Sequence, residues 1–154
     1  MISSPQILRT DALLAAVIHI VTPRAEMLKV FEPAVGELMA TLSAQGLEPA
    51  GAIFVHHMRM APGVFDFELG VPVLKTVRES GRVKPGLLPA VKVARTVYSG
   101  AYDGLPAAWG AFSAWVKANG YQPEEDLWEH YLVGPQSTPD PNGWRTELNQ
   151  PLRT

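Results

Sequence analysis

The stretch ELGVPV at residues 68–73 has a counterpart 79 residues later, ELNQPL at residues 147–152. Both stretches read Glu-Leu-x-x-Pro-aliphatic. Further matches appear when the chain is shifted against itself by 74 residues: Gly46 falls on Gly120, and Pro49 falls on Pro123. Two copies of one unit in a single chain predict a pseudo-symmetric fold, in which a binding site at the junction of the copies is natural.

The first copy, about residues 5–74, reads as strand, helix, strand, strand. The helix prediction depends on a proline, which a helix tolerates in its first turn, and on a glycine, which favours the left-handed conformation at a helix end. The strand predictions depend on β-branched, aromatic and alternating residues. The predicted elements are a long or bent strand at 6–22 with an irregularity at Asp11, a helix from near Glu32-Pro33 to Gly46, and strands at 52–60 and 65–73 joined around residues 61–63.

The second copy, about residues 87–154, repeats this βαββ order. Both predicted helices carry apolar residues at positions i, i+4, i+7 and i+11, which form one face of a helix. Residues 75–86 are rich in charge and are predicted to be a solvated linker, with an anion site as the less favoured reading. The predicted elements of the second copy are a strand at 88–99, a helix that starts near residues 103–106 and ends at Gly120, a strand around Glu129 and a strand at 144–152.

Composition excludes several classes of function. The chain has 154 residues, no cysteine and a net charge of −2, so it predicts one domain without disulfides, thiolate catalysis or a cysteine zinc site. It has no basic stripe of the kind that nucleic-acid binding requires. The apolar run at residues 12–21 is too short for a membrane helix. We therefore expect a cytoplasmic protein that binds neither nucleic acid nor membrane.

The strand DLWEHYLVGP, residues 126–135, contains one residue that is unusual there, Glu129. Side chains alternate along a strand, so Glu129 shares a face with Leu127, Tyr131 and Val133. A carboxylate among apolar neighbours must be hydrogen-bonded, be paired with a cation or take up a proton. Glu129 is therefore the leading candidate for meeting a cationic ligand.

The structural alternative is that Glu129 pairs across the sheet with Arg95 or Arg145. Aromatic side chains nearby in the sequence could instead supply ring faces to a flat or cationic ligand. Trp109 lies on the apolar helix stripe, so core packing is expected for it. The candidate ligand contacts, taken together, are Glu129, Tyr98, Tyr102, Trp128, Tyr131, Trp144, Phe67 and His57.

No general catalytic motif is present: the chain has no Gly-x-Ser-x-Gly, no phosphate loop and no His-Glu-x-x-His. His56 and His57 are adjacent on a predicted strand and point to opposite faces, so they cannot share one metal ion. We therefore expect no metal and no cofactor. Glu68 and Glu147 recur in both copies, which indicates a role in the fold.

The second copy resembles a known family. The motifs that carry the resemblance are VYSGAYDGL at 97–105, the helix that ends in residues 115–121, WEHYL at 128–132 and the closing Glu147-Leu148-x-x-Pro151. Their order and spacing are similar to those of the GyrI-like small-molecule-binding domain, which is also the effector-binding domain of multidrug-responsive and AraC-type regulators. The resemblance implies an α+β fold, with two βαββ repeats forming an antiparallel sheet, both helices on one face and a ligand cleft between the repeats.

The resemblance also implies functions. The family's acidic residue on the strand after the second helix meets cationic aromatic ligands, and Glu129 matches that position. No residues remain for a helix-turn-helix, so a stand-alone, drug-sequestering or effector-binding member is expected. One alternative is hydrolysis of cyclopropanoid electrophiles, with Glu129 as general base and Tyr98 or Tyr131 as oxyanion donor. A weaker alternative is a protein-interaction module such as a gyrase modulator; the protein partner would then be unknown.

Overall fold

A computed structural model describes residues 1–153, except for the side chains of Leu28, Met60 and Ala61. Thr154, the last residue of the predicted domain, lies outside the described residues. The chain divides into two compact units, one made of residues 11–90 and the other of Met1–Thr10 with the chain from Val91 onward. The elements are β1 (Gln6–Arg9), β2 (Leu13–Pro23), α1 (Met27–Ala44), β3 (Phe54–Ala61), β4 (Val64–Pro72), β5 (Lys84–Leu88), β6 (Lys92–Ser99), α2 (Leu105–Ala118), β7 (Leu127–Val133) and β8 (Arg145–Pro151).

The unit of residues 11–90 is an antiparallel sheet with strand order β3-β4-β2-β5 and the helix α1. The helix packs on the two central strands, β2 and β4. Its apolar stripe buries Leu38 and Leu42 completely, and the sheet contributes Ile18, Phe67 and Leu69 to the buried core. Burial of this apolar surface stabilises a helix that has no side-chain cap at its N-terminus.

The second unit has the same plan, with strand order β7-β8-β6-β1 and the helix α2. Its core combines Phe112 and Val116 of α2 with Ala94, Leu148 and Leu152 of the sheet. Both helices end before a glycine with positive φ, Gly46 in the first unit and Gly120 in the second. The predicted α+β class and the antiparallel βαββ repeat are confirmed.

The single strand predicted at residues 6–22 is wrong. It is two strands that belong to different units: β1 ends at Arg9 and pairs with β6, whereas β2 begins at Leu13 and pairs with β4 and β5. The break occurs at Thr10, whose hydroxyl accepts a hydrogen bond from the Val91 N–H at 3.0 Å and donates one to the Val91 carbonyl at 3.1 Å. These hydrogen bonds, with that from the Thr10 N–H to the Val91 carbonyl at 2.8 Å, hold Thr10 to the residue just before β6.

The predicted linker is also partly wrong. Residues 84–88 form β5, so the strand predicted at 88–99 begins instead at Lys92. A tight turn that pairs Ser80 with Val83 leads into β5, and Val83 is fully buried. Arg82 pairs with Glu37 of α1 at 3.2 Å, so this charge is used within the fold rather than only solvated. A charge-rich stretch can thus hide a short edge strand.

The helix α1 begins at Met27, about one turn earlier than predicted, and therefore contains Pro33 in its interior. Proline removes one donor of the helix ladder. The residue that follows, Ala34, is fully buried, and the ion pair between Lys29 and Glu26, 3.1 Å, spans the first turn. Packing therefore holds a segment that local propensity alone would leave outside the helix. The prediction for α2 agrees with the structure.

Gly70 provides a test of the packing in the first unit. It lies opposite Phe54 in the β3–β4 pair, and a Cβ at position 70 would overlap the Phe54 ring, which is 1% exposed. Gly70→Ala is expected to lower the free energy of unfolding by about 1–3 kcal/mol in a urea titration, because the core would be overpacked. The matched control is Gly36→Ala in α1, where a Cβ meets nothing within 4 Å; it should stabilise the protein by about 0.5–1 kcal/mol. Equal effects of the two substitutions would contradict this packing.

Candidate functional site

Glu129 lies in the middle of β7, and only 6% of its surface is exposed to solvent. Its cross-strand partner on β8 is Leu148, a fully buried member of the core beneath α2. Cross-strand partners point to the same face of a sheet, so Glu129 projects on the side that carries the helix. The apolar character of β7 and α2 that builds the core also removes water from this carboxylate.

Two polar groups meet the Glu129 carboxylate. The Tyr131 hydroxyl, two residues along the same face of β7, hydrogen-bonds it. The indole N–H of Trp109, which α2 supplies, also acts on it as a donor, although outside the geometry of a well-formed hydrogen bond. Burial raises the pKa of Glu129 to about 7, and these two contacts pull the pKa down by a smaller amount. The carboxyl group can therefore change its charge near neutral pH.

The arginines of the structural alternative are engaged elsewhere. The Arg95 guanidinium lies 3.4 Å from the Glu147 carboxylate and donates to the Asn149 side chain at 2.6 Å. Arg145 donates to the main-chain carbonyls of Asn142 and Trp144. The donors that act on Glu129 include the neutral side chains of Tyr131 and Trp109.

Three aromatic rings, those of Tyr131, Tyr102 and Trp144, form a connected group next to Glu129. Tyr102, in the 3-10 turn before α2, lies edge-on to Tyr131 with ring centroids 5.8 Å apart and stacks on Trp144 at 5.0 Å. Burial and the nearby Glu129 carboxylate raise the pKa of Tyr102. A Cβ at Gly134 would come within 2.9 Å of the Tyr102 hydroxyl, so the loop can approach this ring because it has a glycine there. We call Tyr102, Trp109, Glu129, Tyr131 and Trp144 the Glu129 cluster.

Two candidate residues of the same unit do not join the Glu129 cluster. Trp128 pairs with Asn149, so it lies on the other face of β7, and it is 1% exposed. Tyr98 is buried in the core, and its hydroxyl donates to the Ala101 carbonyl at 2.7 Å. That hydrogen bond closes the turn before α2 and commits the Tyr98 proton to the backbone. Trp128 and Tyr98 therefore serve the fold in this structure.

His57 and Phe67 lie in the unit of residues 11–90. They are cross-strand partners, and their ring centroids lie 5.7 Å apart; His57 also packs on Phe65 at 5.2 Å. The Arg24 guanidinium covers the Phe65 ring at 4.6 Å. Burial, helped by the charges of His56 and Arg24, lowers the pKa of His57 to about 4. The imidazole is therefore neutral at physiological pH.

Within residues 1–153, no three His, Asp or Glu side chains are grouped so that they could hold a metal ion. Neither helix of the described chain is long and apolar enough to cross a membrane.

The sequence and the fold agree with known proteins. The model of the GyrI-like small molecule binding domain family matches residues 4–153, nearly the whole chain. The chain belongs to this family. No curated protein matches the sequence significantly.

Solved structures share the GyrI-like fold. The C-terminal domain of EcmrR superposes with a TM-score of 0.85 at 20% identity, covering 98% of each chain. The chain spans 57% of EcmrR in a complex with DNA, with a TM-score of 0.84 and 21% identity. SAV2435 bound to tetraphenylphosphonium has a TM-score of 0.71 at 12% identity, with 98% of this chain and 94% of that chain covered. A hydrolase from Listeria innocua has a TM-score of 0.68 at 11% identity, with 97% and 91% covered.

Sequence reasoning missed two residues in or beside the Glu129 cluster of this GyrI-like domain. Trp109 packs on Phe112, 5.7 Å between ring centroids, as its place on the apolar stripe predicts, but its indole N–H also acts on Glu129. Thr146 lies directly opposite Tyr131 in the β7–β8 pair and is fully buried. The β7–β8 register identifies Thr146, and a hairpin loop of about ten residues does not fix that register from sequence.

Proposed function

We propose that this GyrI-like domain binds hydrophobic, cationic aromatic small molecules at the Glu129 cluster. The observation that carries the proposal is a 6% exposed carboxylate surrounded by neutral aromatic side chains. A cation that reaches Glu129 offsets the loss of hydration that burial imposes on the carboxylate. The effector-binding or drug-sequestering role, in the cytoplasm and without nucleic-acid binding by this domain, belongs to the same proposal.

The rings of the cluster supply the rest of the affinity. The Tyr102 ring lies 5.8 Å from the Tyr131 ring and 5.0 Å from the Trp144 ring, centroid to centroid, and a ring face attracts a cation by about 0.5–2 kcal/mol. Flat aromatic groups of a ligand would also insert between such rings. Because ring contacts discriminate little among shapes, we propose broad specificity. The tetraphenylphosphonium bound to SAV2435, a protein of similar fold, supports this ligand class.

The first test is a tryptophan-fluorescence titration with tetraphenylphosphonium and with triphenylphosphine oxide, a neutral relative of similar shape. We expect the cation to bind at pH 8.5 and the neutral compound to bind about 30-fold more weakly, because the charge interaction with Glu129 is lost. Tyr102→Ala should weaken both ligands, since it removes a ring that both would contact. Equal affinity of the wild type for the two ligands would contradict a site organised by the carboxylate.

Hydrolysis is a second candidate function, favoured by the Glu129 pKa of about 7, which suits a general base at neutral pH. In this proposal Glu129 takes a proton from the water that opens a cyclopropanoid electrophile. The Tyr131 hydroxyl, which hydrogen-bonds Glu129 in the free protein, then turns from the protonated carboxyl group to donate to the developing oxyanion. Tyr98 is a weaker donor candidate, since its hydroxyl proton goes to Ala101. Mass spectrometry would detect the product after incubation with such an electrophile. Consumption that persists in Glu129→Gln would exclude this role for Glu129.

A further inference from the structure

A buried hydroxyl, that of Thr146 on β8, lies opposite Tyr131 of the Glu129 cluster. Thr146 is fully buried, and no hydrogen-bond partner for its Oγ1 is found among residues 1–153. A buried hydroxyl without a partner costs about 1–3 kcal/mol, so such a group requires an explanation.

The sheet register places Thr146 beside Glu129. Thr146 is the cross-strand partner of Tyr131, and Leu148 is the partner of Glu129. Residues two apart on a strand share a face, so the side chains of Thr146 and Glu129 project to the same side. They are diagonal neighbours, a relation in which Cα atoms lie about 7–8 Å apart. A ligand group that reaches the carboxylate can therefore also reach this hydroxyl.

The two groups together favour one chemical class of cation. A carboxylate accepts hydrogen bonds at both oxygens, and a threonine hydroxyl can accept one more. A cation with several N–H donors satisfies both groups, whereas a phosphonium or quaternary ammonium ion has no N–H and leaves Thr146 unbonded. A planar N–H fork also matches a carboxylate in two parallel hydrogen bonds.

We propose that Thr146 is a specificity-determining residue that makes this site prefer aromatic cations with N–H donors, such as amidinium ions, over quaternary cations. This inference rests on the proposed function of the Glu129 cluster. In the complex, one edge of the amidinium donates to Glu129 and a remaining N–H donates to Thr146 Oγ1. The aromatic part of the ligand lies against Tyr102 and Trp144.

The test compares 4-phenylbenzamidinium with biphenyl-4-yltrimethylammonium by isothermal titration calorimetry at pH 8.5. The two probes share the biphenyl group and the single positive charge. Wild-type protein is expected to bind the amidinium about tenfold more tightly, and Thr146→Val is expected to remove that tenfold preference, since valine keeps the shape and lacks the hydroxyl.

Thr96→Val is the matched control. Thr96 is equally buried on the neighbouring strand β6, but its hydroxyl donates to the Ser3 carbonyl at 2.7 Å. Thr96→Val should lower the Tm and keep the preference for the amidinium. Thr146→Val should keep or raise the Tm, because it removes a buried hydroxyl that has no protein partner. The pair of variants thus separates a loss of fold from a loss of recognition.

A preference for the amidinium that survives in Thr146→Val would overturn the inference, as would tighter binding of the quaternary probe by wild type. In both cases the proposed function would stand, because a cation still binds. If neither probe binds, the proposed function itself fails, and the inference fails with it.

Discussion

Replacing Glu129 with glutamine is expected to weaken tetraphenylphosphonium binding by about 30-fold or more at pH 8.5, because removing one charge of a buried pair costs about 2–5 kcal/mol. Glutamine keeps the size of the side chain, so the rings around it should stay in place. The difference between the two proteins should shrink below pH 7, where wild-type Glu129 takes up a proton. Wild-type affinity should fall by about tenfold for each pH unit below 7. Calorimetric titrations from pH 5.5 to 8.5 measure both effects.

Glu147→Gln is the control for that substitution. Glu147 is a carboxylate of the same sheet, but its cross-strand partner on β7 is His130, so it lies on the face away from Glu129, and it pairs with Arg95 at 3.4 Å. Its removal should change the affinity by less than about twofold, since its side chain lies on the opposite face of the sheet. A comparable loss in both variants would indicate a general effect of charge instead of a specific counter-ion.

The second large effect concerns stability against pH, where Glu129 and His57 act in opposite directions. The raised pKa of Glu129, from 4.5 to about 7, means that the folded state binds its proton more tightly. That contribution to stability is complete below pH 4.5 and is lost as the pH rises through 7. Its size is about 3 kcal/mol, at about 1.4 kcal/mol for each unit of pKa. The advantage of Glu129→Gln over wild type should therefore grow by about 3 kcal/mol between pH 4.5 and 8.

For His57 the sign is reversed. Its pKa is lowered from 6.5 to about 4, so its contribution is complete above pH 6.5 and is lost as the pH falls through 4. The stability of wild type relative to His57→Gln should fall by about 3 kcal/mol over that range. Between pH 4.5 and 6.5 the stability contributions of Glu129 and His57 change in opposite directions in wild type. Each single variant removes one contribution, so its pH profile shows the other alone.

Urea titrations at half-unit pH steps, on wild type and both variants, check these signs. Two variants whose stabilities follow the wild-type pH profile in parallel would show that neither group titrates with a shifted pKa. A profile shifted for one variant alone would assign the buried titration to that residue.

The sequence predicted the βαββ repeat because its signals are local and occur twice. The two Glu-Leu-x-x-Pro stretches lie in β4 and β8. Gly46 follows α1 and Gly120 follows α2, and both have the positive φ that favours glycine. The prediction merges β1 with β2 and misses β5, because these strands are defined by non-local pairing with β6 and β2. The local sequence around Thr10 and at residues 84–88 does not show which strands will pair there.

The candidate site is predictable from sequence only where strand alternation determines which residues share a face. Glu129 and Tyr131 were expected on one face of a strand, and the structure brings them into contact. Tyr102 and Trp144 join the Glu129 cluster through aromatic contacts. Those contacts depend on the turn before α2 and on the loop after β7. Trp109 and Thr146 needed the packing of α2 and the β7–β8 register, which tertiary structure sets.

The most direct test of the account is the pKa of Glu129 itself, measured by NMR of the side-chain carboxyl carbon with and without tetraphenylphosphonium. We expect a pKa near 7 in the free protein and a fall of about two units on binding, because a neighbouring cation favours the ionised form. A pKa near 4.5 that the ligand leaves unchanged would contradict the claim that Glu129 is a buried counter-charge for the ligand.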